Sequence, residues 1–167
     1  CVIAIDVIGM GSSSRPKDLD FKKKNQPSVV LDYFMDYFEL WRIKMADVLK
    51  EELTKFILMG HSFGGYSVLA LMSQYPDIFV AGVATAPGTD LLKLLKTMDH
   101  RGINEYDGLA LKVALNVLFA DMNDEKTVAK MESTSPVATW QGIDKPLLMW
   151  GGRLDQRIPI THLRDYA

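Results

Sequence analysis

Apolar positions along the chain follow two spacings in alternation. Short continuous runs fall at Cys1-Val2-Ile3-Ala4-Ile5-Asp6, at Phe56-Ile57-Leu58-Met59, from Ile78 to Ala86, and from Lys145 to Gly152. Runs of this length, closed by turn residues, predict strands, the first ending in a carboxylate and the second buried on both faces as in a parallel sheet. Between them the spacing widens to three and four. From Ser28 to about Lys50, a stripe of Val30, Phe34, Phe38, Trp41, Met45 and Val48 leaves Asp32, Asp36, Glu39 and Asp47 off it, which predicts an amphipathic helix laid against the sheet. An Ala/Leu-rich helix follows Gly64 and stops near Tyr75-Pro76-Asp77, where proline cannot continue the hydrogen-bond ladder. Leu91 to about Trp140 is helical but less regular, with an apolar helix at Leu109 to Phe119 and another starting at Asn123-Asp124-Glu125 with acids in its first turn. The stretch Ile160 to Ala167 begins a further helix. Strands alternating with helices predict an α/β fold: a parallel sheet flanked by helices, with an irregular helical insertion before the last strand. No repeat or low-complexity linker divides the chain, so residues 1–167 are expected to belong to a single domain.

Composition narrows the class. The 167 residues are 48% apolar and 24% charged, with a net charge of −2, ordinary for a soluble globular chain and unlike a nucleic-acid surface. No apolar run approaches the roughly 18 residues of a membrane span. The single cysteine, Cys1, excludes internal disulfides and a cysteine-based metal cluster, and fits a reducing, cytoplasmic compartment without establishing one. No histidine, cysteine and acid cluster has metal-ligand spacing, so no metal or other cofactor is expected. Gly9 and Gly11 lack the Gly-Lys-Ser/Thr of a phosphate-binding loop and read as a tight turn at the sheet rim. Lys22-Lys23-Lys24 reads as solvated surface.

The chemistry concentrates at Gly60-His61-Ser62-Phe63-Gly64, a Gly-x-Ser-x-Gly turn placed between a strand and a helix. That context defines a nucleophile elbow, a turn so sharp that glycines are expected on either side of the serine because a β-carbon would collide with a neighbouring element. Ser62 would then stand at the top of the sheet, with the Phe63 N–H aimed at an oxyanion. A serine needs a base, and the base needs an acid to orient it. In hydrolases with this elbow the chain order is serine, acid, histidine. Asp155, on the loop after the last strand, is the preferred acid, and Asp90, after the third strand, is the alternative. Each has a bland counterpart: a turn-forming aspartate for Asp155 and a helix cap for Asp90. Of the three histidines, His61 lies inside the elbow, where its ring cannot reach Ser62 in line, His100 lies in the irregular segment, and His162 reads as a surface helix residue. The chain opens with Cys inside an apolar run and stops soon after a strand, and so reads as part of a longer protein. The base is expected past Ala167 and a second oxyanion donor before the first strand. The 167 residues alone are therefore expected to lack hydrolase activity.

These motifs resemble the α/β-hydrolase superfamily over nearly the whole chain. From 56 to 160 the sequence resembles the catalytic domain of the prolyl oligopeptidase family. The residues that carry this are Gly60 to Tyr66, Pro76-Asp77-Ile78-Phe79 with Ala81-Gly82-Val83, Ala86-Pro87 with Asp90, Ser135-Pro136, Ile143 to Leu148, and Gly152 and Asp155 ahead of Ile158-Pro159. The opening segment is more similar to lipid-acting α/β-hydrolase-domain lysophospholipases and acyltransferases, through Asp6, Gly9, Gly11, Ser13 and Pro16 with Trp41-Arg42. Both branches imply Ser62 as nucleophile and Asp155 as acid. The epoxide hydrolases and haloalkane dehalogenases are excluded, because they need an aspartate at position 62. The sequence thus predicts a serine hydrolase acting by acyl transfer on peptides, with an esterase, lipase or lysophospholipase as the alternative substrate class. A catalytically dead hydrolase-like scaffold is the alternative from another class. The partner would be a small-molecule or peptide substrate; the sequence leaves the oligomeric state open.

Overall fold

The computed structural model describes residues 3–6, 12–14, 27–99 and 123–166. They belong to two compact units, Cys1–Thr54 and Lys55–Ala167. In the first, helix α1 spans Pro27–Leu49, matching the three-and-four spacing. Within it Phe38 stacks on Trp41 with ring centroids 5.7 Å apart, and Arg42 pairs with Glu39 while donating to the Leu53 carbonyl at 2.8 Å, which ties down the chain past the helix end. Val48 stands exposed, so the apolar stripe is not enclosed along its whole length. Residues 3–6 form no strand and are exposed, which corrects the buried strand expected at Cys1–Asp6 over these four positions. The reason is that an extended segment becomes a strand only when a neighbour takes up its backbone donors and acceptors, and among the described residues no ladder includes these four. Asp6 is held instead by a turn: its Oδ2 accepts from the Ser12 amide at 2.9 Å and its carbonyl from the Ser13 hydroxyl at 2.6 Å.

The second unit carries a three-stranded parallel sheet in the order β1 (Phe56–His61), β2 (Phe79–Thr85), β3 (Leu147–Trp150). Between β1 and β2 runs α2 (Phe63–Gln74), whose Val68, Leu69 and Met72 are buried against the sheet. Each full burial of such a side chain stabilises by about 1.5–3 kcal/mol. The connection from β2 to β3 holds α3 (Leu91–Asp99), α4 (Glu125–Thr134), α5 (Pro136–Thr139) and a 3₁₀ turn at Trp140–Gly142. Asp124 caps α4 by accepting from the Thr127 amide at 3.0 Å, and Pro136 opens α5 where its missing N–H costs nothing. After β3 comes the short α6 (Thr161–Arg164). The helix expected at Leu109 to Phe119 lies outside the described residues.

One expectation for the sheet is corrected. Burial along β1 alternates, with Ile57 and Met59 exposed and Phe56 and Leu58 half-buried, so this strand is not enclosed on both faces. Leu148 and Trp150 of β3 share that exposure. Of the described elements of this unit, α2 is the helix that packs on β1 and β2, and it covers one face only. The sequence run is uniformly apolar; the cover it receives is not.

Candidate active site

Parallel strands put all their carboxyl ends on one edge, and that edge collects the chemistry-bearing residues. In the register, His61 of β1 faces Thr85 of β2, which faces Trp150 of β3. Ser62 follows the first, the loop 86–90 the second, and the loop 151–160 the third. At about 4.8 Å per strand, β1 and β3 are about 10 Å apart across β2, a gap that one side chain between a serine and an acid can bridge.

Ser62 is the joint between strand and helix. Its amide donates to the Thr85 carbonyl at 2.9 Å, extending the ladder by one residue, while its own carbonyl accepts the Tyr66 amide at 3.1 Å and starts α2. Serving both elements forces φ to 56° and ψ to −117°, a backbone state that costs a non-glycine residue about 1–3 kcal/mol. Ser62 is half-buried. The Phe63 N–H opens α2, where first-turn amides have no acceptor within the helix and the dipole favours negative charge.

The glycines divide by necessity. A β-carbon on Gly60 would lie 2.2 Å from the Gly64 carbonyl oxygen, so the bend tolerates none there. On Gly64 it would meet nothing within 4 Å, which corrects the expectation that crowding demands this second motif glycine. Crowding falls one residue later: on Gly65 a β-carbon would sit 3.0 Å from the Thr85 oxygen and 3.1 Å from Pro87 Cα, because α2 starts hard against the end of β2. The structure thus explains Gly60 and Gly65 and leaves Gly64 without a packing reason.

The two aspartates are held differently. Asp155 Oδ1 accepts from the amides of Arg157 at 2.8 Å and Ile158 at 3.0 Å, while the Asp155 amide donates to the Gly152 carbonyl at 3.1 Å. This turn fixes the carboxylate and employs one oxygen, leaving Oδ2 outside it. Asp90 Oδ1 accepts from the Lys93 amide at 2.8 Å and its carbonyl from Leu94, the geometry of an N-cap on α3. Both bland roles are therefore occupied, at Asp90 by a helix start and at Asp155 by a turn.

Neither described histidine is joined to Ser62. His61 ends β1 on its exposed side, and among the described residues no hydrogen bond joins it or His162 to Ser62. His100 lies outside the described residues. His162 is fully buried, correcting the surface placement expected for it, and burial followed by the nearby Lys93 charge lowers its pKa from 6.5, partly opposed by Asp90 and Asp165. Among the described residues no group of three or more histidine, cysteine or acid residues could hold a metal ion, and no helix is long and apolar enough to cross a membrane.

What the sequence missed is the packing behind the site. Ser135, buried at the α4–α5 junction, accepts the Leu91 amide at 2.9 Å and donates to the Met131 carbonyl at 2.8 Å. The Val137 amide donates to the Thr89 carbonyl at 3.1 Å, and the Tyr66 hydroxyl to the Thr134 carbonyl at 3.1 Å. These bonds fix the loop after β2, and with it the floor beside Ser62, to the α4–α5 corner. Burial raises the Tyr66 pKa, against the smaller opposing effect of the Thr134 bond. A signal was available: a serine directly before a proline marks a helix start.

The family model described as "Prolyl oligopeptidase family" matches residues 9–167. A dipeptidyl aminopeptidase BIII of Pseudoxanthomonas mexicana is 28% identical over 121 residues, which cover 71% of this chain and 16% of the relative. A probable 1-acylglycerol-3-phosphate O-acyltransferase of Oryza sativa subsp. japonica is 43% identical over 76 residues, 46% of this chain and 16% of the relative. The uncomplexed acylaminoacyl peptidase of Pyrococcus horikoshii superposes with a TM-score of 0.54 at 18% identity, over 74% of this chain and 18% of that one. That likeness is one of fold. The chain spans about a sixth of the length of these curated relatives, 16% in each case. Together with the parallel sheet and its flanking helices, the structural likeness makes this an α/β-hydrolase fold.

Proposed function

The chain belongs to the prolyl oligopeptidase family, and on that premise we propose that it supplies the nucleophile and the acid of a serine peptidase. Ser62 Oγ adds to the carbonyl carbon of a peptide bond while its proton passes to a histidine base that neither His61 nor His162 provides. The Phe63 N–H donates to the oxygen on which charge develops. The C–N bond then breaks, the departing amine takes up the transferred proton, and water activated by the same base releases the acyl group. Asp155 accepts from the base and holds its tautomer, its Oδ1 fixed by the Arg157 and Ile158 amides. Asp90 Oδ1 caps the start of α3, and Asp155, on the loop after the last strand, is preferred as the acid.

The observation that carries this reading is the backbone at Ser62: a non-glycine residue held at φ 56° between a strand and a helix. Such strain persists where surrounding structure enforces it, and a serine at this joint would present its hydroxyl at the carboxyl edge beside the first amides of α2. The test is turnover by the full-length protein of a peptide amide, compared with its Ser62→Ala variant. Amide cleavage that disappears in the variant supports the reading, and cleavage that persists overturns it.

A second reading keeps the same machinery on a lipid ester. It is favoured by the 43% identity to the rice acyltransferase. Turnover of an acyl-glycerol with no cleavage of peptides would select it.

A further inference from the structure

The loop that bears Asp155 does not end in solvent. Pro159 closes it, the His162 amide donates to the Pro159 carbonyl at 2.9 Å, and α6 then carries the His162 ring into the protein, where the residue is 0% exposed. There the helix meets the loop after β2. Thr89 Oγ1 donates to the His162 carbonyl at 2.8 Å, and the same oxygen lies 3.4 Å from His162 Nδ1. Thr89 is 1% exposed and is held from its other side by the Val137 amide. An ion pair between Lys93 of α3 and Asp165, just past α6, spans the same two segments nearer the surface.

The hydrogen count fixes the state of the ring. Thr89 has one hydroxyl proton, and the His162 carbonyl takes it. Toward the ring its oxygen can only accept, which assigns a proton to Nδ1 and, in the neutral ring, the lone pair to Nε2. Nε2 is buried with no hydrogen-bond partner among the described residues. A second proton there would make a buried N–H with no acceptor, which costs far more than an exposed one. Among the described residues the charged groups acting on the ring are Lys93 from α3, Asp90 from the loop before it and Asp165 from the ring's own segment. Tyr166, one turn on, adds a buried and unpartnered hydroxyl, which burial pushes up to about 12 and so keeps neutral.

We propose that His162 is a positioning residue: its neutral ring locks α6, and with it the far end of the Asp155 turn, onto the Thr89 loop. This rests on Asp155 acting as the acid. A second proton, at Nε2, leaves both Thr89 contacts in place but buries a charge with no acceptor, and so weakens the lock. The folded ring titrates below the 6.5 of the unfolded chain, so between those values the unfolded chain binds more protons. The stability the lock confers is therefore present above about pH 6.5 and lost as the pH falls below it.

The test uses the full-length protein and its His162→Gln variant, whose amide keeps a polar group but cannot charge. Urea midpoints and steady-state constants on an activated ester are measured from about pH 7.5 down to 5.5. The wild-type midpoint is expected to fall in that window and the variant midpoint to stay flat. At pH 7.5 the variant should lose ~10-fold in kcat with KM within about two-fold, because a small misplacement of a catalytic group alone costs up to ~100-fold. Equal midpoint slopes, or an unchanged kcat, overturn the proposal. Should the variant not fold, exchange of the His162 ring C2–H in the wild type, followed by mass spectrometry against pH, decides instead. A ring that charges at its ordinary pKa overturns the proposal, and one that stays neutral below it upholds the lock. Failure of the serine-peptidase reading is distinguishable: it appears as turnover independent of Ser62, removes the positioning role, and leaves the midpoint slopes and ring exchange to decide the lock.

Discussion

Replacing Gly60 by alanine tests the elbow at its tightest point. The new β-carbon would lie 2.2 Å from the Gly64 carbonyl oxygen and 2.4 Å from its carbon. Ordinary contact begins near 3.4 Å, so the overlap exceeds an ångström, and both atoms are backbone that no rotamer change can move aside. Overpacking typically costs 1–3 kcal/mol, and a clash against backbone belongs at or above the upper end, about 3 kcal/mol. With a urea slope near 2 kcal/mol/M, that lowers the midpoint by ~1.5 M. The internal control is Gly64→Ala. Its β-carbon meets nothing, and alanine is the better helix former by up to ~1 kcal/mol, so stability should hold or rise slightly. The assay is urea unfolding of both variants beside the wild type in the full-length protein, read together with the rate of covalent capture by a fluorophosphonate. Gly60→Ala should lose both stability and capture. A Gly60→Ala protein as stable and as reactive as wild type, or a Gly64→Ala protein equally damaged, would refute the account of why the chain bends here.

Three further outcomes are expected. Asp155→Asn should lower kcat by ~10³-fold or more, since an acid that can no longer favour the right tautomer costs up to ~10⁴ in a triad, while Asp90→Asn keeps a capping oxygen and leaves kcat within a few-fold; steady-state kinetics on one substrate separate them. Tyr66→Phe removes the hydroxyl bonded to the Thr134 carbonyl at 3.1 Å and should cost about 1 kcal/mol, read from the urea midpoint. Asp124→Ala removes the cap on α4 and should cost about 1 kcal/mol with kcat unchanged.

The elements that hold the site were legible because each carries a local signature. The run before Gly60, the helix that stops at Tyr75-Pro76, and the strands at Ile78 and Lys145 announce themselves within a dozen residues, and the structure places an element at each pattern, with β2 shorter by one residue and β3 by two at either end. Three parallel strands then bring Ser62, Asp90 and Asp155 to one edge. What could not be read is what depends on residues far apart in sequence. The enclosure of His162 is made by Thr89, 73 positions earlier, and a helix of four residues is too short to reveal which side faces inward. The same holds for the glycines: the motif names Gly64, but the crowded position is Gly65, because crowding comes from Thr85 and Pro87 on the neighbouring strand. Apolar runs also cannot say which face will be covered, as exposed Ile57 and Met59 show.

The account turns on whether Ser62 is a nucleophile. The most direct measurement treats the full-length protein with a fluorophosphonate and locates the adduct by peptide mass spectrometry. The account predicts a single adduct on Ser62, formed faster than on a free serine and absent after denaturation. A folded protein that stays unmodified at Ser62, or carries its adduct on another serine, would contradict it.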